Sequence, residues 1–417
     1  MENNRASKVQ ALIEKGVLIP TPSSVEIGPE VNIDNISGKD VEIHTGCKIF
    51  GKETVIMSGV KLGIRSPVSV NNCQLGRDVV LKGGYFEKST FLDSANMGDG
   101  AEVRKGCLLE EKANGAHTVG LKQTILLPFV TLGSLINFCD ALMAGGTSRK
   151  NHSEVGSSYI HFNYTPNQDK ATASLIGDVP HGVMLNQPPI FLGGQGGIVG
   201  PSQIGYNTVI AAGVIYRGDC PEGNKLLYGD SLQKEDKDFY PGIYWSVKRR
   251  VINSIEYIAN IIALRQWYLN VRSKFYQEDN LEKLIYNGAI DKLDIAFNER
   301  IKRFKQLASK MDKSMEKYKS VIGNDASETL LKRKSELLQN YEEIETRFRE
   351  LLSYNGEEQK KKEFLEDLNK IIEGKNESYI QTIKKLDEST RNVGIAWLSS
   401  IVRKVRDSAL NFLPSFT

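Results

Sequence analysis

The sequence predicts a mainly β protein, in which a parallel β-solenoid built from six-residue repeats is followed by an α-helical domain. Nearly all glycine and proline lies before about residue 240, and aliphatic residues recur there every six positions. After that point Lys, Glu, Leu and Ile follow helical periods. We therefore expect an N-terminal helical lead over residues 1–24, the solenoid over 25–235 and a helical domain over 236–417.

The solenoid is predicted from its repeats. In IVGPSQIGYNTVIAAGVI, residues Ile198, Ile204 and Ile210 stand six positions apart, each followed by small or turn-forming residues. The same period occurs at Ile43, Ile49 and Val55, at Met97, Val103 and Leu109, at Ile27 and Ile33, and at Leu75 and Leu81. Period six is neither helical nor the alternation of an ordinary strand. Short strands wound three to a coil would bury these aliphatics against the next coil. An antiparallel sandwich would need longer alternating runs and hairpin dipeptides, which are scarce here.

The helical domain is predicted to begin with one amphipathic helix. Val251, Ile255, Ile258 and Ile262 follow three- and four-residue steps and form one apolar stripe. Further helices are expected at about 281–321, 326–353, 358–388 and 392–412, and Asp325 with Glu328 resembles a capping box. Lys and Glu dominate between 300 and 390, which favours long hairpins or a coiled coil.

Composition limits the function classes. With 417 residues, 40% apolar and 25% charged, the chain is in the globular range, and a net charge of +3 does not indicate a nucleic-acid partner. Five scattered cysteines without a CxxC pair indicate a reducing compartment and no zinc cluster. The N-terminus lacks signal-peptide features, and no window offers the roughly 18 uninterrupted apolar residues of a spanning helix. We therefore expect a cytoplasmic protein without a transmembrane segment.

Hexads of the form Ile-Gly-x-x-x-Val resemble those of the left-handed β-helix hexapeptide-repeat superfamily, whose members are mostly trimeric acyltransferases. The resemblance is greatest to the acetyltransferase half of bifunctional N-acetylglucosamine-1-phosphate uridyltransferase/glucosamine-1-phosphate acetyltransferase. Asn163 and Tyr164, the later Ile176-Gly177-Asp178, and the Ile210–Gly213 hexad match its motifs. The chain is also similar to solenoid proteins related to UDP-N-acetylglucosamine pyrophosphorylase. The resemblance covers about residues 120–220.

The resemblance implies a left-handed parallel β-helix, a homotrimer, and acetyl-CoA or another acyl-CoA as the cofactor, with Ala212 as a cofactor-binding residue and without a metal. Two departures accompany it. In LGSLINFCDA, Ser134 stands where the family has its catalytic histidine. The uridyltransferase half with its Gly-rich nucleotide loop is not found, so nucleotidyl transfer is not expected.

Acyl transfer needs a base, donors for the oxyanion and a slot for the pantetheine arm. His152 or His161 could supply the base, and Arg149 with Lys150 could hold a phosphate or carboxylate. Other candidate substrate-binding residues are Asn163, Tyr164, Asp169 and Lys170. Each has a plainer alternative: the histidines could be loop or strand residues, and Asn163-Tyr164 could form a turn. An 18-residue spacing would stack Ser134, His152 and Lys170, unless a loop at 145–152 interrupts the coils.

Together these features predict an acyl-CoA-dependent transferase acting on a sugar or nucleotide-sugar. The alternative is a non-catalytic sugar-nucleotide-binding or scaffolding protein that lost the family's catalytic histidine. In that case the C-terminal helices would recruit a protein partner.

Overall fold

The structure is a computed structural model that describes residues 2–160, 173–229, 236, 238–277, 279–373 and 377–417, with side chains from Ser7 onward. After helix α1 (Glu2–Glu14), the chain forms short strands up to Leu227. The strands are β1 (Glu26–Ile27), β2 (Glu42–Ile43), β3 (Lys48–Phe50), β4 (Val55–Ile56), β5 (Lys61–Leu62), β6 (Val68–Asn71), β7 (Gln74–Leu75), β8 (Val80–Leu81), β9 (Gly84–Glu87), β10 (Ser89–Phe91), β11 (Asn96–Met97), β12 (Ala101–Val103), β13 (Cys107–Leu109), β14 (Asn114–Gly115), β15 (Val119–Leu126), β16 (Thr131–Leu132), β17 (Ile136–Met143), β18 (Gly146–Ser148), β19 (Asn151–His152), β20 (Glu154–Val155), β21 (Ser158–Ile160), β22 (Ser174–Ile176), β23 (Phe191–Leu192), β24 (Gly196–Ile198), β25 (Gln203–Ile204), β26 (Val209–Ile210), β27 (Ile215–Tyr216) and β28 (Leu226–Leu227).

The strands wind into a three-sided parallel solenoid, which confirms the predicted fold class. Face A contains β1, β3, β6, β9, β12, the first halves of β15 and β17, β21, β24 and β27. Face B contains β4, β7, β10, β13, the second halves of β15 and β17, β22 and β25. Face C contains β2, β5, β8, β11, β14, β16, β20, β23, β26 and β28. The chain follows the faces in the order A, B, C, and we name each edge by the two faces that it joins.

Most of the predicted hexad positions lie in the inner core of the solenoid, whereas Val55 points outward into the core shared with the helices. Ile198, Ile204 and Ile210 are buried in the inner core, on faces A, B and C respectively. The strands β15 and β17 pass from face A to face B without a break, turning at Gln123 and Asp140, which have positive φ. Successive coils therefore stay in register across these two faces.

Two excursions leave the coils at the B–C edge. The first is an antiparallel hairpin of β18 and β19. The second, one coil later, contains the short helix α2 (Val179–Gly182). Ser153 ties them together, since its hydroxyl donates to Ala144 O and accepts from Ile190 N, both at 2.8 Å.

The remaining helices follow Val247. They are α3 (Lys248–Asn270), α4 (Asn280–Ala308), α5 (Met311–Ile322), α6 (Glu328–Leu351), α7 (Glu358–Ile372), α8 (Tyr379–Lys384) and α9 (Glu388–Leu410). The predicted helices at 281–321 and 358–388 are each divided in two. The predicted capping box is also wrong, since Ser327, not Asp325, caps α6 by accepting from Leu330 N.

The helices pack against face B. Helix α4 contacts β4, β7, β10 and β13, and α3 contacts β22. The outward residues of this face are largely apolar and join the helical core: Val55, Leu108, Ile125, Leu142 and Leu175. Arg272 pairs with Glu110 and Glu111 across the boundary, and Arg300 pairs with Asp140. The solenoid and the helical domain therefore share one continuous core along face B.

Candidate functional site

One column of residues lines the C–A edge, each two positions after a face C strand. It contains Asp99, His117, Ser134, Ser157, Gly194 and Ala212. Backbone hydrogen bonds connect the coils along this edge, including Leu135 N to His117 O at 3.1 Å and Gly213 N to Gly194 O at 2.8 Å. His117, Ser157 and Ala212 are exposed. The column is therefore accessible in the single chain.

A serine and a histidine from neighbouring coils meet on this column. Ser134 Oγ lies 2.8 Å from His117 Nδ1, a hydrogen bond whose donor depends on the tautomer of the imidazole. The two residues are 17 positions apart, which is one coil here because Gly115 pairs with Leu132. Ser134, which stands where the family has its catalytic histidine, is therefore in contact with the imidazole of His117.

Beyond Ser134 the edge carries mainly small residues, apart from the exposed side chains of Leu135 and Gln195. Its turns are formed by Gly156-Ser157, Gly193-Gly194 and Ala211-Ala212-Gly213. A Cβ at Gly156 would lie 2.6 Å from Gly194 N, and one at Gly193 would lie 2.4 Å from Ala212 N. Glycine is required at both places because backbone from the next coil occupies the space. We call this side-chain-poor surface the edge strip.

Exposed apolar side chains flank the edge strip on both faces. Tyr159 and Ile215 lie on face A, and Phe191 and Val209 lie on face C. With coils about 4.8 Å apart, the strip runs roughly 14 Å from Ser134 to Ala212. Such a surface suits an extended, flexible ligand arm that ends beside the imidazole of His117.

His152 lies elsewhere, on the hairpin at the B–C edge. Its Nδ1 is 3.0 Å from Arg149 O, and its Nε2 is 3.4 Å from Glu154 Oε2. The side chain is 18% exposed. Its imidazole is thus held between a carbonyl and a carboxylate.

The two predicted phosphate-binding residues differ in their surroundings. Arg149 folds back onto the coils, where its Nη1 donates to Thr131 Oγ1 at 2.8 Å and to Lys112 O at 3.2 Å. Lys150 is exposed at the hairpin turn. Arg149 therefore fixes the hairpin to the solenoid, whereas Lys150 keeps its ammonium group at the surface.

The structure describes only some of the other predicted site residues. His161, Asn163, Tyr164, Asp169 and Lys170 lie outside the described residues, between β21 and β22 in the sequence. Ala212 lies at the far end of the edge strip. The 18-residue stacking does not hold for Ser134 and His152, because Thr131 pairs with Glu154 and the hairpin lengthens that coil. The structure thus brings Ser134 and Ala212 to one edge and places His152 on another.

A second concave site lies between the solenoid and the helices. The Gly177-Asp178 turn, Tyr206, Asn260 and Arg406 line a cavity of about 250 Å³. Tyr206 Oη donates to Asp178 O at 2.7 Å, and Asn260 Oδ1 accepts from Val179 N at 2.9 Å. The bond to Asn260 attaches the turn to α3, which gives the turn a structural role in joining the two parts of the chain.

Sequence reasoning missed His117, because its polar partner is not a neighbour along the chain. Its partner lies one coil away, and a search for polar pairs at a spacing of one coil would have found it.

Among the described residues, no group of three or more His, Cys, Asp or Glu side chains could hold a metal ion. Within the same residues, no helix combines the length and apolarity needed to span a membrane.

Comparison with known proteins agrees with the solenoid geometry. The chain is 25% identical over 220 residues to the Bifunctional protein GlmU of Thermotoga sp. (strain RQ2), which covers 53% of this chain and 44% of that protein. It is 27% identical over 236 residues to the Bifunctional protein GlmU of Carboxydothermus hydrogenoformans, covering 56% and 46%. No protein-family model matches the chain. The chain spans about half the length of the curated relatives it matches, and this similarity, together with the solenoid, is consistent with a hexapeptide-repeat β-helix.

Proposed function

We propose that the protein transfers an acyl group from an acyl-CoA, with acetyl-CoA as the first candidate, to an amino or hydroxyl group of a sugar or nucleotide-sugar. The observation that carries this proposal is the edge strip. It is an exposed, side-chain-poor surface flanked by Tyr159, Ile215 and Phe191, and it continues to a Ser-His pair. The similarity to GlmU proteins supports the same chemistry.

Each part of the strip has a role in this proposal. The pantetheine arm would lie along the turns from Ala212 towards Ser134 and bring the thioester to the polar end. Backbone amides at the glycine turns are potential donors to the thioester oxygen as it becomes an oxyanion. The sequence offers His152 and His161 as candidates for the base that takes the proton of the acceptor. Lys150, Asn163, Tyr164, Asp169 and Lys170 remain proposed substrate-positioning residues.

By analogy with the family, we propose a cytoplasmic homotrimer. Faces A and C, with the edge between them, would remain for subunit contact because α3 and α4 pack on face B. The exposed Tyr159, Ile215 and Phe191 would then be partly covered by a neighbouring subunit.

Binding of acetyl-CoA is measured by calorimetry, and thiol release is followed with a panel of sugars and nucleotide-sugars bearing free amino or hydroxyl groups. Ala212→Trp should weaken acetyl-CoA binding at least tenfold, because the indole would fill the strip. Thr45→Trp is the matched control, since Thr45 holds the same exposed position in a coil far from the strip. Equal binding by wild type and Ala212→Trp would exclude the strip as the cofactor site.

The competing function is non-catalytic. Ser134 stands where the family has its catalytic histidine, which supports a sugar-nucleotide-binding or scaffolding solenoid with the helices recruiting a protein partner. In that case wild type would bind a nucleotide-sugar in calorimetry but neither bind acetyl-CoA nor release its thiol. Turnover with any acceptor in the panel would reject this alternative.

A further inference from the structure

We infer that His117 is the catalytic base of this protein. His117 lies one coil before Ser134, which is the position where the family has its catalytic histidine. The inference rests on the proposed acyl transfer and names the residue that performs its proton transfer. Three observations carry it: the contact of His117 with Ser134, its exposure, and its place on the same column as Ala212.

The contact with Ser134 orients the imidazole. When Nδ1 carries the ring proton and donates it to Ser134 Oγ, over 2.8 Å, Nε2 keeps its lone pair. That nitrogen can then accept a proton from a substrate, as a general base requires. Ser134 is a positioning residue in this arrangement and does not itself react.

The column places this imidazole at the end of the edge strip. His117 and Ser134 occupy equivalent positions in neighbouring coils, and Ser157, Gly194 and Ala212 continue the series. A thioester reaching along the strip towards Ser134 would arrive within about one coil spacing, roughly 5 Å, of the imidazole. Because His117 is exposed, an acceptor can approach it from solvent.

His152 is less well placed for this role. The chain from His152 to Ser157 crosses face C, a distance of up to about 16 Å in extended conformation. Its Nε2 already lies 3.4 Å from the Glu154 carboxylate. An acceptor bound beside the edge strip would therefore reach His117 and not His152.

The acyl transfer needs no reactant other than the acyl-CoA and the acceptor. The acceptor nitrogen or oxygen loses its proton to His117 Nε2 and bonds to the thioester carbonyl carbon. The tetrahedral intermediate then collapses, the C–S bond breaks, and the sulfur leaves with the electron pair. The imidazolium returns the proton to the thiolate, so that CoA thiol and the acylated acceptor are the products.

The test compares His117→Ala with wild type in the thiol-release assay with acetyl-CoA and the acceptor panel. We expect kcat to fall about 10²–10⁴-fold, the usual contribution of a general base, with acetyl-CoA binding unchanged. Added imidazole should restore part of kcat in His117→Ala. The rise of kcat/KM with pH that a histidine base produces should be lost.

Three variants complete the test. His44→Ala is the matched control, because His44 lies at the same edge four coils earlier and contacts Glu42, and its kcat should equal that of wild type. Ser134→Ala should lower kcat about tenfold because the imidazole loses its positioning contact, and wild type should accumulate no covalent acyl-enzyme. In His117→Ala/Ser134→His, the new imidazole should recover activity relative to His117→Ala.

The outcomes separate the two proposals. Turnover by wild type together with full kcat in His117→Ala overturns the role of His117 and leaves acyl transfer standing. Accumulation of an acylated Ser134 also overturns it, because serine would then be the nucleophile. Absence of both acetyl-CoA binding and turnover in wild type overturns acyl transfer itself.

Discussion

Replacement of Arg272 tests how strongly the helical domain is joined to the solenoid. Arg272 is fully buried, and its Nη2 lies 2.8 Å from Glu111 Oε2 and 2.6 Å from Glu110 Oε2. Its guanidinium also stacks 3.6 Å from the ring centre of Tyr379. Arg272→Met keeps much of the side-chain volume but leaves two buried carboxylates without their cation.

The expected cost follows from that burial. Removing one partner of a buried ion pair destabilises a protein by about 3–5 kcal/mol, and the full burial of Arg272 places this variant in that range. We expect a matching loss in the free energy of unfolding at pH 7.5. Urea titration followed by tryptophan fluorescence measures it, since Trp267 and Trp397 are buried in the helical core.

Acid should restore part of the lost stability. Burial already raises the pKa of Glu110 to about 6 in the presence of Arg272, whose charge opposes the rise. A folded-state pKa above the ordinary value means that stability increases as pH falls through about 6, because the folded chain binds the extra proton. Without the charge of Arg272 the pKa of Glu110 should rise further, so the variant should gain more stability from acid than wild type does. The difference in the free energy of unfolding between variant and wild type should therefore be smaller at pH 5.5 than at pH 7.5.

The control is Arg265→Met. Arg265 pairs with Asp294 at 2.8 Å, but both side chains are partly exposed, and such pairs contribute about 0–1 kcal/mol. If Arg272→Met loses less than about 1 kcal/mol, or if its deficit is the same at pH 7.5 and 5.5, the pairing across face B does not stabilise the protein as described.

Three further variants test the helical domain and its packing. Lys334 is buried with its ammonium donating to Ser314 Oγ at 3.0 Å, and burial lowers its pKa from 10.5 to about 8. Between these two pKa values Lys334 is more often protonated in the unfolded chain than in the folded chain. The free energy of unfolding should therefore rise as pH increases from 7 to 9.5. Urea titrations should show this rise in wild type and not in Lys334→Met. Leu142→Ala, on the outward side of face B beneath the helices, should lower the melting temperature and cost about 2–5 kcal/mol. Phe191→Ala, exposed on face C, should change the free energy of unfolding by less than about 0.5 kcal/mol in the isolated chain. If Leu142→Ala and Phe191→Ala lower the free energy of unfolding equally, the described packing on face B is contradicted.

The solenoid could be predicted because its signal is local. One inward aliphatic residue every six positions identifies the coils, and Ile198, Ile204 and Ile210 all lie in the inner core. Val55 fits the period but points outward beneath the helices, while its neighbour Ile56 points inward. Its burial comes from α4, a contact that the six-residue period does not describe.

The sequence also contains a signal for the packing of the helices on face B. Pairs of adjacent apolar residues, such as Leu108-Leu109 and Leu142-Met143, occur on face B strands. Adjacent apolar residues in a strand indicate burial on both sides. The division of the long predicted helix between Ala308 and Met311 could not be anticipated, because Ser309-Lys310 contains neither glycine nor proline.

The candidate site was harder to predict because it depends on contacts between coils. Ser134 was identified as a departure from the family pattern, but its partner His117 lies one coil earlier. The hairpin that contains His152 changes the coil length, so residues at a fixed spacing no longer stack. Ala212 was placed by family resemblance alone, and its column with Ser134 emerged from the strand register.

The most direct test of the proposed acyl transfer is calorimetric titration of acetyl-CoA into wild type and Ala212→Trp, followed by thiol release with the acceptor panel. The edge strip predicts saturable binding to wild type, binding at least tenfold weaker in Ala212→Trp, and thiol release that depends on an acceptor. Equal affinity in the two proteins, or no heat of binding and no thiol release in wild type, would contradict acyl transfer at the C–A edge.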